Sequence, residues 1–416
     1  MVKTITLKSG VTVVMEPLDY VGSCALGIWV KTGSVNETEK NSGISHFIEH
    51  MMFKGTALRD ARKIAEDIDN LGGQINAFTG KEATCYYIKT LSSNLLAAME
   101  VLFDMFTNST FDQVEMDRER NVIKEEMKMT QDTPDEDAQE TILELVFSGK
   151  ALGKSIIGTN ESLDGIGRQE ILDYMENRYT TDNVVVSVAG NFDEEKVCSA
   201  IENVVVKMQK TSRQIPYAET DYRGSFTTKV KDIEQSHISL AVPTISLDDD
   251  HRYAYSLLSS IMGGSMSSRF FQNIRERKGL AYSVYSVNTA FAGGGYYDIY
   301  AGVAHDNVEK ALEAIKEELH ALKKSGVTEG ELNKVKEQMK SSYMFGQESV
   351  NNRMFSLGKA MTLQGRTYTQ EEIRQRIDNV TMDDIHQAAE AIANMDNYSG
   401  VLITNKEVNL ESLVRG

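Results

Sequence analysis

Cysteine, histidine, proline and long apolar runs are all scarce in this 416-residue chain. The three cysteines, Cys24, Cys85 and Cys198, are odd in number and far apart, which suits small buried thiols in a reducing compartment better than a disulfide framework. Four prolines and an ordinary aliphatic content leave no room for a fibrous or low-complexity protein. No apolar run approaches the length needed to cross a bilayer, so a membrane partner is not expected. The amino terminus, MVKTITLKSG, has neither the apolar core of a signal peptide nor the Arg/Ser-rich character of an organelle presequence, and a cytoplasmic location is expected. Basic residues are also short: 44 Lys and Arg against 61 Asp and Glu give a net charge of −17. Phosphate binding needs a basic footprint, so the charge argues against nucleic acid as a partner.

What is present is periodic. Residues 4 to 15 alternate as a hairpin, with Ile5 and Leu7 before Ser9-Gly10 and Val11 and Val13 after it. Cys24 to Val30 is mostly apolar and predicts a central strand. Ile64, Ile68 and Leu71 form a helical stripe that stops at Gly72-Gly73. GGQINAFTGKEATCYYIKTL returns to strand character as a second hairpin. Helices are expected from Asn94, over 111–129, over 135–147 and over 165–178, before a strand from Val184 to Val188.

The chain also repeats itself. The run from Glu119 to Lys128 matches that from Glu331 to Lys340 at six of ten positions. Tyr86-Tyr87 and Tyr296-Tyr297 recur at nearly the same separation, as do the approaches to Asn191 and Asn405. Three matches in one order predict a duplicated domain. The expected division is 1–208, a linker at 209–224 containing Pro216, and 225–416. Hairpin-like strand pairs mixed with helices predict an α+β fold made twice, each domain a largely antiparallel sheet layered with helices.

Chemistry concentrates in GISHFIEHMMFKGT. On a helix His46 and His50 project from one face a turn apart, as two ligands of one metal ion require, and Glu49 shares that face. H-x-x-E-H is the inverted form of a zinc-peptidase motif: two imidazole ligands and a carboxylate free to act as general base. A third ligand is needed. Glu126 lies on a later helix with Glu119 two turns back on the same face, a pattern that an ordinary solvated acidic helix would also give. In the second half Gln338 stands opposite Glu126, and the segment around Ala254 to Ser259 has no such motif, so one metal per chain, in the first half, is expected.

HFIEHMMFKGT, NAFTGKEATCYY, ERNVIKEEM and MGGSMSSRFFQNIRERKGLAYSVYS together resemble the pitrilysin and insulysin inverzincin family, in particular its half-length branch of processing-peptidase-like enzymes. The resemblance covers nearly the whole chain in order. It implies zinc held by His46, His50 and Glu126, with Glu49 as base and Glu119 as a supporting carboxylate. It further implies that Arg275 and Tyr282 grip substrate, and that Asn76, Ala77 and Phe78 lie on an edge strand that pairs with a peptide. The implied activity is endopeptidase hydrolysis of peptides or unfolded polypeptides in a chamber formed by a homodimer whose active sites are shared between chains. The alternative is a noncatalytic scaffold or partner subunit that keeps the same fold. Gly149 to Ser155 superficially resembles a phosphate-binding loop, but it is one residue short and follows a helix rather than a strand.

Overall fold

The computed structural model describes residues 1–206, 208–211 and 222–415. The first hairpin forms as β1 (Lys3–Thr6) and β2 (Thr12–Pro17), with Gly10 at φ +100 in the turn, and is followed by β3 (Ser23–Val30). Next come α1 (Ile44–Met52), α2 (Ala61–Asn70) and the second hairpin, β4 (Gln74–Thr79) with β5 (Thr84–Leu91). The helical run then gives α3 (Leu95–Asn108), α4 (Gln113–Asp132), α5 (Pro134–Val146), α6 (Asn160–Gly165) and α7 (Arg168–Arg178). β6 (Val184–Gly190) and α8 (Glu194–Val205) close the first half. The linker expected at 209–224, with its Pro216, lies largely outside the described residues.

The second half opens with β7 (Phe226–Val230), β8 (Ser236–Thr244) and α9 (Arg252–Gly263), and continues as the hairpin β9 (Ala281–Phe291) and β10 (Gly294–Val303). The helices α10 (Val308–Ser325), α11 (Glu329–Gly346), α12 (Val350–Gln364), α13 (Gln370–Asp378) and α14 (Met382–Ile392) precede β11 (Ser399–Thr404) and α15 (Leu410–Arg415). Among the described residues no helix is long and apolar enough to cross a membrane.

The duplication is visible in the topology. One sheet runs β1-β2-β6-β3-β5-β4, the other β7-β11-β8-β10-β9. Apart from the extra β1, the two orders correspond strand for strand. In each, one parallel pairing (β2 with β6, β7 with β11) sits beside otherwise antiparallel ladders. Both domains are therefore sheet-plus-helix layers, as the pattern of hairpins predicted.

The compact units nevertheless exchange pieces of sequence. The first gathers Met1–Met127, the chain from Lys154 through α8, and Tyr343–Thr369; the second gathers Lys128–Gly153 with the rest of the second half. Thus α12 covers β2, β3 and β6, and α5 covers β8 and β11. In the first unit, one face of β3 (Leu26, Ile28, Val30) joins the main core, while Ala25 and Trp29 on the other face pack with Val350, Met354 and Leu357 of α12. The helix lies so close that a Cβ on Gly358 would meet Trp29 Nε1 at 1.9 Å. The indole N–H is in turn fixed by donating to Ser187 Oγ at 2.9 Å.

Each exchanged helix is latched by an ion pair at the same point, four residues past its N-cap (Thr133 or Ser349). In the first unit Arg353 of α12 donates to Glu16 of β2 at 2.5 Å, and both side chains are largely buried. In the second, Asp137 of α5 accepts from Lys229 of β7 at 2.7 Å and from Lys231 at 2.8 Å. Glu16 pairs across with Ala189 and Lys229 with Ile403, each two residues ahead of the matching Asn191 or Asn405. The positions correspond and the charges are reversed.

Candidate metal centre

α1 is amphipathic in the way its sequence dictates. Ile44, Phe47, Ile48 and Met51 enter the main core of the first unit, which turns His46, Glu49 and His50 to the other side. The chain enters the helix through Gly43, in the left-handed region at φ +89, where a Cβ would lie 2.3 Å from the Ile157 carbonyl oxygen. Only glycine fits there.

The imidazoles of His46 and His50 stand with ring centroids 4.6 Å apart. Glu126, on α4, brings Oε2 to 3.7 Å from His46 Nε2 and 3.6 Å from His50 Nε2. One ligand atom from each of the three lies within 4.8 Å of the others. A tetrahedral zinc ion with bonds of about 2.0–2.1 Å sets its ligands about 3.4 Å apart, close to the two distances from Glu126, so the donor set fits zinc in type and spacing. Burial and then the neighbouring His50 push the His46 imidazole down to about 3, leaving it neutral with a lone pair to offer. Its Nδ1 is buried without a hydrogen-bond partner.

Further contacts hold the donors in place. Glu119, buried on the same face of α4, places Oε2 3.2 Å from His50 Nδ1. That hydrogen bond assigns the proton to Nδ1 and leaves Nε2 for a metal. Lys54 holds the other Glu119 oxygen at 2.5 Å. Glu49 makes no such pairing with the imidazoles; its Oε2 accepts from Thr79 Oγ1 at 2.7 Å, and burial raises its carboxyl above the usual range.

Asn76, Ala77 and Phe78 lie on β4, which ends the sheet order and so offers an unpaired edge. Ala77 packs against the core that α1 also enters. Phe78 faces the opposite side, 40% exposed, with its ring edge-on to Trp29 and Phe355. Arg275 and Tyr282 belong to the second unit. The segment Phe271–Arg277 winds as a π-helix and the chain then turns at Gly279, which sets the Arg275 guanidinium 4.8 Å from the Phe271 ring centroid and 5.4 Å from that of Tyr282. Tyr282 is 74% exposed.

Three residues at the centre escaped the sequence reading. Lys54 had a signal, because it follows His50 by one helical turn. Thr79 shares the alternation of Ala77 but nothing in its type points to Glu49. Glu37 reaches α1 from a preceding loop, and no periodicity marks it.

A family model described as insulinase, peptidase family M16, matches residues 12–160, and one described as the peptidase M16 inactive domain matches 165–339. The boundary separates the half that holds His46, His50 and Glu126 from the half without them. The chain is 39% identical over 404 residues to an uncharacterized zinc protease, YmxG, of Bacillus subtilis, spanning 97% of this chain and 98% of that protein. It is 36% identical to an uncharacterized zinc protease of Rickettsia felis, spanning 96% of this chain and 97% of that one. Among solved structures, a peptidase M16 inactive domain from Pseudomonas fluorescens superposes with a TM-score of 0.91 at 19% identity, covering 98% of this chain and 99% of the other. A protease from Helicobacter pylori gives 0.88 at 23% identity, covering 97% and 99%.

Proposed function

The chain belongs to the insulinase family of peptidases, family M16, and from that premise we propose that it is a zinc-dependent endopeptidase acting on peptides or unfolded polypeptides. The observation that carries the reading is the convergence of His46, His50 and Glu126 on one point, with Glu49 beside them and bonded elsewhere. His46, His50 and Glu126 would hold one zinc ion per chain, which when bound supplies Lewis acidity toward a peptide carbonyl and a water molecule. Glu49 takes the proton from the attacking water on its carboxylate and later delivers one to the leaving amine. Thr79 fixes one oxygen of Glu49 and so aims the other. Glu119 holds the ring of His50 in one tautomer. The unpaired edge of β4 receives the peptide as an added strand, a mode that makes few sequence demands.

Hydrolysis of a quenched fluorescent peptide library, with and without a chelator, tests this. The expected result is turnover that a chelator abolishes and added zinc restores. A folded, zinc-loaded protein that cleaves nothing would instead favour the partner-subunit reading, in which binding to another protein survives chelation.

The proposal extends to assembly. Two copies associate so that Arg275 and Tyr282 of one chain act at the zinc site of the other. The guanidinium then grips a substrate carbonyl, and the exposed Tyr282 hydroxyl stabilises charge on the carbonyl under attack. Mixing a Glu49→Gln chain with an Arg275→Ala chain should recover part of the wild-type activity, because one of the two composite sites is then intact. No recovery after demonstrated subunit exchange would rule the shared site out.

A further inference from the structure

α1 begins without a capping side chain of its own, since Gly43 occupies the N-cap. Its first N–H groups would be left unpaired in a buried position, a costly arrangement. Glu37 supplies what is missing from six residues upstream. Its Oε2 accepts from the Gly43 N–H at 2.6 Å and its Oε1 from the Ser45 N–H at 2.9 Å. The residue is only 4% exposed. Lys154 donates to the Glu37 carbonyl oxygen at 2.6 Å, which fixes the loop that carries it.

Placement gives this carboxylate a consequence beyond closing a helix. His46 is the third residue of α1, within the first turn, where the helix dipole presents its positive end. A cation held by His46 is therefore opposed by the helix on which that ligand sits. Burial raises the Glu37 carboxyl, and the Ser45 and Gly43 N–H groups, which bond one to each oxygen, favour its charged form; as a carboxylate little screened by water it acts with the opposite sign. We infer that Glu37 is a positioning residue of the metal centre, which orients the first turn of α1 through Gly43 and Ser45 and offsets the dipole beneath His46, so that zinc binds more tightly. The inference rests on the zinc reading of His46, His50 and Glu126.

The test is the zinc dissociation constant of the full-length protein, measured by competition with a chromophoric chelator. Glu37→Gln preserves the shape, removes the charge and turns an amide N–H toward one of the donors. Weakening of about tenfold is expected, the lower end of what displacing a supporting partner of a metal ligand does. Asp60→Ala serves as the control, since it removes the side chain that caps α2 by accepting from the Lys63 N–H at 2.7 Å. That variant should melt at lower temperature and bind zinc as the wild type does. If Glu37→Gln does not fold, Glu37→Asp is read in its place: it keeps the charge but its shorter carboxylate cannot reach both N–H groups, so a loss of affinity there reports the orientation of the first turn. Wild-type zinc affinity in the folded Glu37 variant, or an equal loss in Asp60→Ala, overturns the inference alone. A wild type that takes up no zinc overturns the metallopeptidase reading and the inference with it.

Discussion

Glu49→Gln should bind zinc as the wild type does and hydrolyse peptides about 10²–10⁴-fold more slowly, the range that a positioned general base contributes. The substitution is nearly isosteric and leaves Thr79 Oγ1 a carbonyl oxygen to donate to. What it removes is the lone pair that takes a proton from water. Because Glu49 is not among the three converging donors, metal content should not change. Glu126→Gln makes the contrast, since it should lose zinc and activity together. Turnover retained in a zinc-loaded Glu49→Gln protein would mean that another group is the base.

Reversing the latch of α12 should have the largest effect on stability. Arg353→Glu sets a carboxylate against Glu16 where both side chains are almost out of water. Breaking a buried pair from one side costs about 3–5 kcal/mol, because the remaining charge is left without a partner. A marked fall in the urea midpoint is expected. The double variant Glu16→Arg/Arg353→Glu should recover most of the loss. Recovery falls short of complete because Arg353 Nε also donates to the Gln347 carbonyl oxygen, which a glutamate cannot replace. A double variant no more stable than the single would show that the charge pair is not what holds the helix.

Much of this was legible in the sequence, and the reasons are local. Alternation in Ile5, Leu7, Val11 and Val13, and the Ile64, Ile68 stripe, each declare their own element without reference to anything distant. The spacing of His46, Glu49 and His50 fixes their common face because a helix has only one geometry. Glu126 was different, since its acidic helix is commonplace: the family resemblance of the run ERNVIKEEM named it, and its approach to the two imidazoles sets it apart from its acidic neighbours. The exchange of α5 and α12 left no local trace at all. Val350, Met354 and Leu357 have the period of any amphipathic helix, and nothing in that period says which sheet lies beneath. Thr79 and Glu37 were missed for the same reason, because each acts on a residue of another element.

The reversed latches bear on how such a chain sorts itself during synthesis. Duplication leaves two sheets of one design and two helices that cover them, told apart in shape by the close seat of Gly358 on Trp29, where α5 carries Ile142. Charge acts in the same direction. Placed over its own half's sheet, α5 would carry Asp137 toward Glu16, and α12 would carry Arg353 toward Lys229. Each helix is thus turned away from the neighbour that leaves the ribosome with it and toward one made far earlier or later. On the Trp29 side the first sheet gains its helix only once residue 364 has emerged, so the first unit is finished by a piece of the second half.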